Sequence, residues 1–428
     1  MNRKPFSGGF LLVLLVGGLT LCCLLPFGAV HASKAVNGII DSDTVWLKAD
    51  SPFDLTGPVL VDKDVRLLVE AGVTVNLNGF YIRVAGTLSA RGSAFDKIYF
   101  LGDGGEPPNW AITFMDTSVS WDELKGSGSV LENVVINSTH TGIYLNKVTP
   151  RISNCVISAY YAVDVLKCSP VISDCVIEGA IGVHDASPTI TGNVIRGSIS
   201  ARFSLGRTVI SDNTIIGGLQ NENVSGIVCS DALVSGNVIY SFATAAITAD
   251  SIWGTNAVIR QNLIMFNSVG INVTSWAEPE IRYNTIANNS VGVQVNYDAS
   301  PAISSNNIVD NLDYSVYLSE SAVDVDAADN WWGTTDYYAV RESIHDFNDD
   351  FNLGEVSFTP VLTLPAPNAP SFVSVPEPTP SPTPVATPDD TSTSGISLNT
   401  IEVAILVLLI VIAGLLVATV ILLFKKKR

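Results

Sequence analysis

Asp164, His184 and Arg202 follow one another at intervals of 20 and 18 residues, each in a short β-branched segment. If each interval is one turn of a stacked chain, the three side chains rise in a column at ~4.8 Å per step. A carboxylate beside an imidazole can act as base or acid, and a guanidinium can neutralise a uronate carboxylate. Asp185 adjoins this trio, and Lys147 and Lys167 occupy the turn after it. The same residues read equally as a solvated polar column whose opposite charges pair at little energetic gain. A second group is aromatic. Trp253, Trp276 and Tyr297 stand five or six residues before Ile259, Ile281 and Ile303, which places them in one turn of three successive repeats. Flat rings in a row suit the apolar faces of sugars, with Arg260 and Arg282 nearby as hydrogen-bond donors. They also suit a plain cover over the turns.

The elements that position these residues come from a repeat. The pattern I-x-x-N-x-I recurs around Asn133, Cys155, Cys175, Asn193, Asn213, Asn237, Asn262, Asn284 and Asn306. A second segment of Gly-Ile-x-Val type accompanies it, as in Gly142–Leu145, Gly226–Cys229, Gly270–Val273 and Gly292–Val295. Segments this short and β-branched, divided by turn residues, fit strands and not a helical period. A repeat of ~22 residues cannot bury its own apolar face, so repeats must stack as coils. The expected fold is all-β: a right-handed, single-stranded parallel β-helix of roughly 13 coils, ~60 Å long. Asn at the repeated position tolerates a left-handed turn, and its inward amide can bond the next coil's. Cys155 and Cys175 fall on adjacent rungs, which permits either a disulfide or two stacked buried thiols.

The repeats resemble the pectin-lyase-like superfamily of right-handed β-helices, in particular its NosD-like group. Glu70–Val75 and Val84–Gly92 resemble that group's first coils, and Asn330-Trp331-Trp332-Gly333 with Ile344, Asp346 and Phe358–Pro360 resembles its closing segment. The resemblance covers residues 55–365. It implies that the outward residues of the Gly-Ile-x-Val sheet line a glycan cleft: Tyr144, Asp164, His184, Arg202, Val228, Thr248, Asn272, Gln294 and Tyr317. It does not fix an activity, because this fold carries lyases, hydrolases, epimerases, adhesins and inert scaffolds. Three readings follow: a surface protein binding extracellular or envelope polysaccharide, a polysaccharide lyase or hydrolase acting through Asp164, His184 and Arg202, and a non-catalytic structural or adhesive component.

The chain ends set the expected location. Residues 1–32 read as a signal peptide, with Arg3 and Lys4 before an apolar run and Val30-His31-Ala32 before Ser33. Residues 33–54 read as a lead-in, 55–333 as the β-helix and 334–365 as a C-terminal cap, with a short helix started by a Thr. Residues 366–400 form a Pro/Thr/Ser-rich linker, 401–424 a transmembrane helix, and 425–428 a basic cytoplasmic tail. Without the six basic residues of leader and tail, 17 basic residues face 41 acidic ones. Such a surface repels nucleic acid, anionic lipid and any polyanionic glycan not bridged by a cation. No cofactor is expected. Met115, Met265, His140, His184 and His345 are too scattered for a metal site. Asp346, Asn348, Asp349 and Asp350 lack calcium-loop spacing and read as a hydrated acidic turn. Asn137, Asn223, Asn272 and Asn288 begin glycosylation sequons.

Overall fold

The computed structural model describes residues 33–102, 110–204, 206–218, 224–251 and 256–371. The leader, the linker beyond Ser371, the span 401–424 and the basic tail lie outside the described residues. Among the described residues no helix is long and apolar enough to cross a membrane.

Every coil has three faces. The first carries strands such as Arg151–Ser153 and Val171–Ser173, the second strands such as Val134–Asn137, and the third strands such as Thr141–Asn146. Each strand pairs in parallel with its counterpart one coil away. The first faces build a 14-stranded sheet. The second and third merge into a 23-stranded sheet, because Val156–Leu166 and Val176–His184 run through both faces. The inward residue at the centre of each strand is nearly always isoleucine. On the first face Ile152, Ile172, Ile190 and Ile210 are in register, and on the second Ile157, Ile177, Ile195 and Ile215. All are fully buried. At roughly 1.5–3 kcal/mol per buried side chain, these columns are what make stacking favourable.

The corner between faces one and two differs from the expectation in one detail. The left-handed residue precedes the ladder residue and is not the ladder residue itself. Asp174, Asp212, Gln261, Tyr283 and Ser305 have φ of 56 to 58°, and each stands just before Cys175, Asn213, Asn262, Asn284 or Asn306. Asn133, with φ 52°, therefore belongs to the turn, and Val134 is the rung. The ladder of buried amides runs unbroken from Asn193 through Asn213, Asn237, Asn262, Asn284 and Asn306 to Asn330. Cys155 and Cys175 continue it as free thiols, donating to the carbonyls of Ser153 and Ser173. The hydrogen bond with Cys155, and after it burial, push the Cys175 thiol well above its ordinary value. A second, shorter ladder, Asn267–Asn289–Asn311, fills the corner between faces two and three.

At the N-terminal end Lys34–Ile40 already lies parallel on Phe53–Val61, within the stretch read as lead-in. At the other end the helix Tyr337–Glu342 is capped by Asp336, whose carboxylate accepts from Tyr338 N and Ala339 N. The expected threonine cap is displaced: Thr334 Oγ1 accepts from Asp336 N instead. Buried Asp346 holds the cap together, accepting from Arg341 Nη2 at 2.7 Å and from Val356 N at 3.0 Å. The acidic turn is thus tied by protein donors.

Candidate functional site: a cleft over a gap in the outer column

The outward column of the third face runs Tyr144, Asp164, Gly182, Ser200, Val228, Thr248, Asn272, Gln294 and Tyr317. Asp164, His184 and Arg202 do not share it. The cause is local. Ser158 pairs with Glu178, an offset of 20, but Val163 pairs with Ile181, an offset of 18. Two residues are lost at the corner, where Gly179 has φ 130°. A slip of two keeps each side chain on its original face, so His184 still points outward but stands beside Leu166. The longer coil has one extra residue between Ser158 and Tyr161 and a second between Tyr161 and Val163, and around this corner Tyr160 and Tyr161 stand in solvent at 48% and 42% exposure and meet edge to face at 4.9 Å.

The register change leaves a gap. Where neighbouring rungs carry Tyr144 and Asp164, the next two carry Gly182 and Ser200. The resulting cleft holds about 630 Å³ and is walled by Tyr160, Tyr161, Asp164, His184, Arg196 and Phe242. Asp164 and His184 lean over the bare Gly182, where a Cβ would stand 3.1 Å from Asp164 Oδ1 and 3.2 Å from His184 Nε2. His184 Nε2 lies 3.4 Å from Asp164 Oδ1. Burial raises the Asp164 carboxyl above its ordinary value, and the neighbouring imidazole partly opposes this.

Arg202 is committed elsewhere. A register break after Gly182 turns it toward buried Asp250, with which it forms an ion pair, and Ser230 Oγ donates to the other oxygen of that carboxylate at 2.6 Å. The guanidinium that borders the cleft is Arg196, on the second face. Burial also pushes the nearby Tyr240 phenol up, against the pull of Arg196. Lys167 faces Asp185 at 3.8 Å, and Lys147 faces Asp116 at 3.9 Å.

Trp276 and Tyr297 do occupy one turn on adjacent coils: Trp276 N donates to Tyr297 O at 3.2 Å, and the residues are 70% and 54% exposed. Trp253 lies outside the described residues. Arg260 and Arg282 are neighbours on the first face, where Arg282 pairs with Glu280 at 3.0 Å and lies over Tyr283. Of the sequon asparagines, Asn137, Asn272 and Asn288 are half-buried and Asn272 accepts from Asn296 Nδ2 at 2.6 Å, while Asn223 is outside the described residues. Among the described residues no cluster of His, Cys, Asp and Glu could hold a metal. Another cleft, of about 570 Å³ on the first face near Arg66 and Arg91, has its charges largely engaged: Arg91 donates to Gly126 O and Glu70 accepts from Lys48 N.

Residues 179–331 match the model of a family described as a right handed beta helix region. The chain is a right-handed parallel β-helix. The matched stretch begins at Gly179, on the floor of the cleft, and ends at Trp331. No curated protein is a significant match to the sequence. Among solved structures, the periplasmic alginate epimerase AlgG overlaps this β-helix over 71% of this chain and 74% of its own, at 11% identity and a TM-score of 0.31. Two of its point mutants give TM-scores of 0.27 and 0.25. At values this low nothing about the epimerase or its substrate is carried over to this chain.

The Asp164 carboxyl makes a pH-dependent prediction. Its proton is held more tightly in the folded chain than at the unfolded value of 3.8, so folding gains stability as pH falls toward 3.8 and loses it as pH rises through the raised folded value. Asp164→Asn removes that loss. The melting temperature of the variant should exceed that of the natural protein by more at about pH 7 than at about pH 4.

Proposed function

We propose that the β-helix binds an extracellular or envelope polysaccharide in the cleft above Gly182, while the C-terminal span and Pro-rich linker hold it at a cell surface. The observation that carries this reading is the gap in the outer column. Two exposed tyrosines stand on one wall, and a carboxylate and an imidazole lie within reach of anything resting on Gly182 and Ser200. Tyrosine rings offer apolar faces to sugar rings and a hydroxyl to their rims. The acidic surface of the chain favours a neutral glycan, or one whose charges a cation bridges.

Titrating the secreted ectodomain with a panel of neutral and uronate-containing oligosaccharides tests the proposal. Binding should appear for at least one class, and Tyr161→Ala should weaken it about tenfold. Undiminished affinity in that variant places the glycan elsewhere, with Trp276 and Tyr297 the next surface to probe.

A second reading, catalysis, draws on one specific contact. Asp164 and His184 form a carboxylate–imidazole pair at 3.4 Å, and the raised Asp164 carboxyl keeps a proton to a higher pH than an exposed one. The same incubations, followed for new reducing ends and for the ultraviolet absorbance of an unsaturated product, decide it. Binding without either signal leaves a recognition protein.

A further inference from the structure

The cleft on the first face, of about 570 Å³, lies under an insertion. Residues 147–150 suffice to link one coil to the next, but residues 115–129 do so one coil earlier. The excess folds back across the first face and is fastened to the coils on either side. Val119 N donates to Gly86 O at 3.0 Å, and Trp121 N donates to Thr149 O at 2.9 Å. Asp122 N and Ser127 N close the tip by donating to each other's carbonyls at 2.8 and 3.3 Å. Arg91 reaches up from the face, donates to Gly126 O at 3.2 Å and lies 4.8 Å over the Trp121 ring. The roof is therefore held by the protein's own bonds, and a ligand need not order it.

The floor is chemically divided. Leu67, Leu88 and Ala90 point inward, so Arg66, Leu68, Thr87 and Ser89 point outward, into the cleft. Arg66 stands beside Thr87, and Leu68 beside Ser89, on adjacent rungs. Arg91 is spent on the roof, and Glu70 accepts from Lys48 N at 2.9 Å. The Arg66 guanidinium makes no ion pair among the described residues, although the chain holds 41 acidic residues against 23 basic ones. Asp43 accepts only its main-chain N–H, at 2.8 Å. Ser89 is buried beneath the roof, yet its hydroxyl, like that of Thr87, bonds to no protein group among the described residues. A buried hydroxyl without a protein partner calls for one from outside. Leu68 and the 44% exposed Val119 supply apolar surface beside these polar groups.

We propose that this cleft binds a small organic monocarboxylate with an apolar body. The carboxylate pairs with the Arg66 guanidinium and accepts from the Thr87 and Ser89 hydroxyls, and the body rests between Leu68 and Val119. One guanidinium set in an acidic surface favours a single negative charge over a polyanion, which the rest of the chain repels. The site is on a different face from the cleft above Gly182 and does not depend on the glycan reading.

Amide hydrogen exchange of the full-length chain, read by mass spectrometry as phenylacetate is titrated in, tests this. Phenylacetate should slow exchange saturably in peptides over residues 66–70 and 119–130, and leave residues 156–166, beside the other cleft, unchanged. Phenylacetamide lacks the charge and acetate lacks the body, so each should need at least about tenfold more for half the effect. Arg66→Gln should raise the phenylacetate requirement about tenfold and Ser89→Ala about threefold, with ligand-free exchange as in the natural chain. Arg83→Gln removes the same charge from a third-face strand and should change nothing. Absence of saturable protection under the roof overturns the proposal, as does equal protection by phenylacetamide or acetate. Equal weakening in Arg66→Gln and Arg83→Gln overturns it too, since that reports the overall charge of the chain and not a site.

Discussion

Replacing Asn262 by alanine should lower the stability of the β-helix by about 4 kcal/mol. The side chain is fully buried and occupies a middle rung. Its Oδ1 accepts from Asn237 N at 3.0 Å and from Asn237 Nδ2 at 2.9 Å. Its Nδ2 donates to Val234 O at 2.9 Å, Arg260 O at 3.0 Å and Asn284 Oδ1 at 2.9 Å. Alanine takes this partner from the Asn237 N–H and the Val234 carbonyl, away from water, at roughly 1–3 kcal/mol for each group left unsatisfied, while Asn237 Nδ2 keeps its bonds to Ile210 O and Ser235 O. Because a solenoid is stabilised coil by coil, the damage should concentrate in neighbouring rungs. Hydrogen exchange should therefore show lost protection centred on Asn237 and Asn284, alongside a lower melting temperature. Asn296→Ala, on the outer third face, should change little. A ladder variant as stable as that control would mean that isoleucine packing alone carries the fold.

That contrast shows which parts of the molecule a one-dimensional reading reaches. The inward isoleucines and the ladder asparagines recur along the sequence because each rung asks for the same residue, so spacing alone exposes them. The residue that takes the left-handed turn is Asn, Asp, Gly, Gln, Tyr or Ser from coil to coil, and so it carries no signature; an Asn there, as at Asn133, looks in the sequence like a rung. The cleft is harder still. His184 and Gly182 both face outward, and only the pairing of Val163 with Ile181 reveals which one stands over Asp164. The short spacing between Cys175 and Asn193 and the run Glu178-Gly179-Ala180 mark a tightened coil, which is the one visible hint that the column slips there. Arg202 was misplaced because its partner, Asp250, lies 48 residues on. Cys155 and Cys175 were open to two bonding states at one spacing, and their carbonyl contacts are those of thiols.

Gly197→Ala tests whether the tightened coil also shapes the cleft. Gly197 has φ 153°, a conformation reserved for glycine, and an added Cβ would stand 2.2 Å from Gly179 O and 2.7 Å from Gly179 C. Both obstacles are main chain, so no side chain can swing aside to admit the methyl group. Conformational strain of about 1–3 kcal/mol and overpacking of about 1–3 kcal/mol together predict a loss near 3–5 kcal/mol. Gly218→Ala separates the two contributions. Gly218 also borders the cleft and has φ 96°, but an added Cβ there meets nothing within 4 Å. It should cost only the conformational part, about 1–2 kcal/mol. Melting temperatures of the two variants, measured together with affinity for whichever glycan the natural protein binds, give the answer. If the floor sets the cleft, Gly197→Ala weakens binding even well below its melting temperature, because the Gly179 backbone must move and Tyr160 and Tyr161 hang from the coil it packs against. Equal losses of stability in the two variants would mean that the main chains at Gly179 and Gly197 are free to part, and that the gap over Gly182 owes its form to the missing side chains alone.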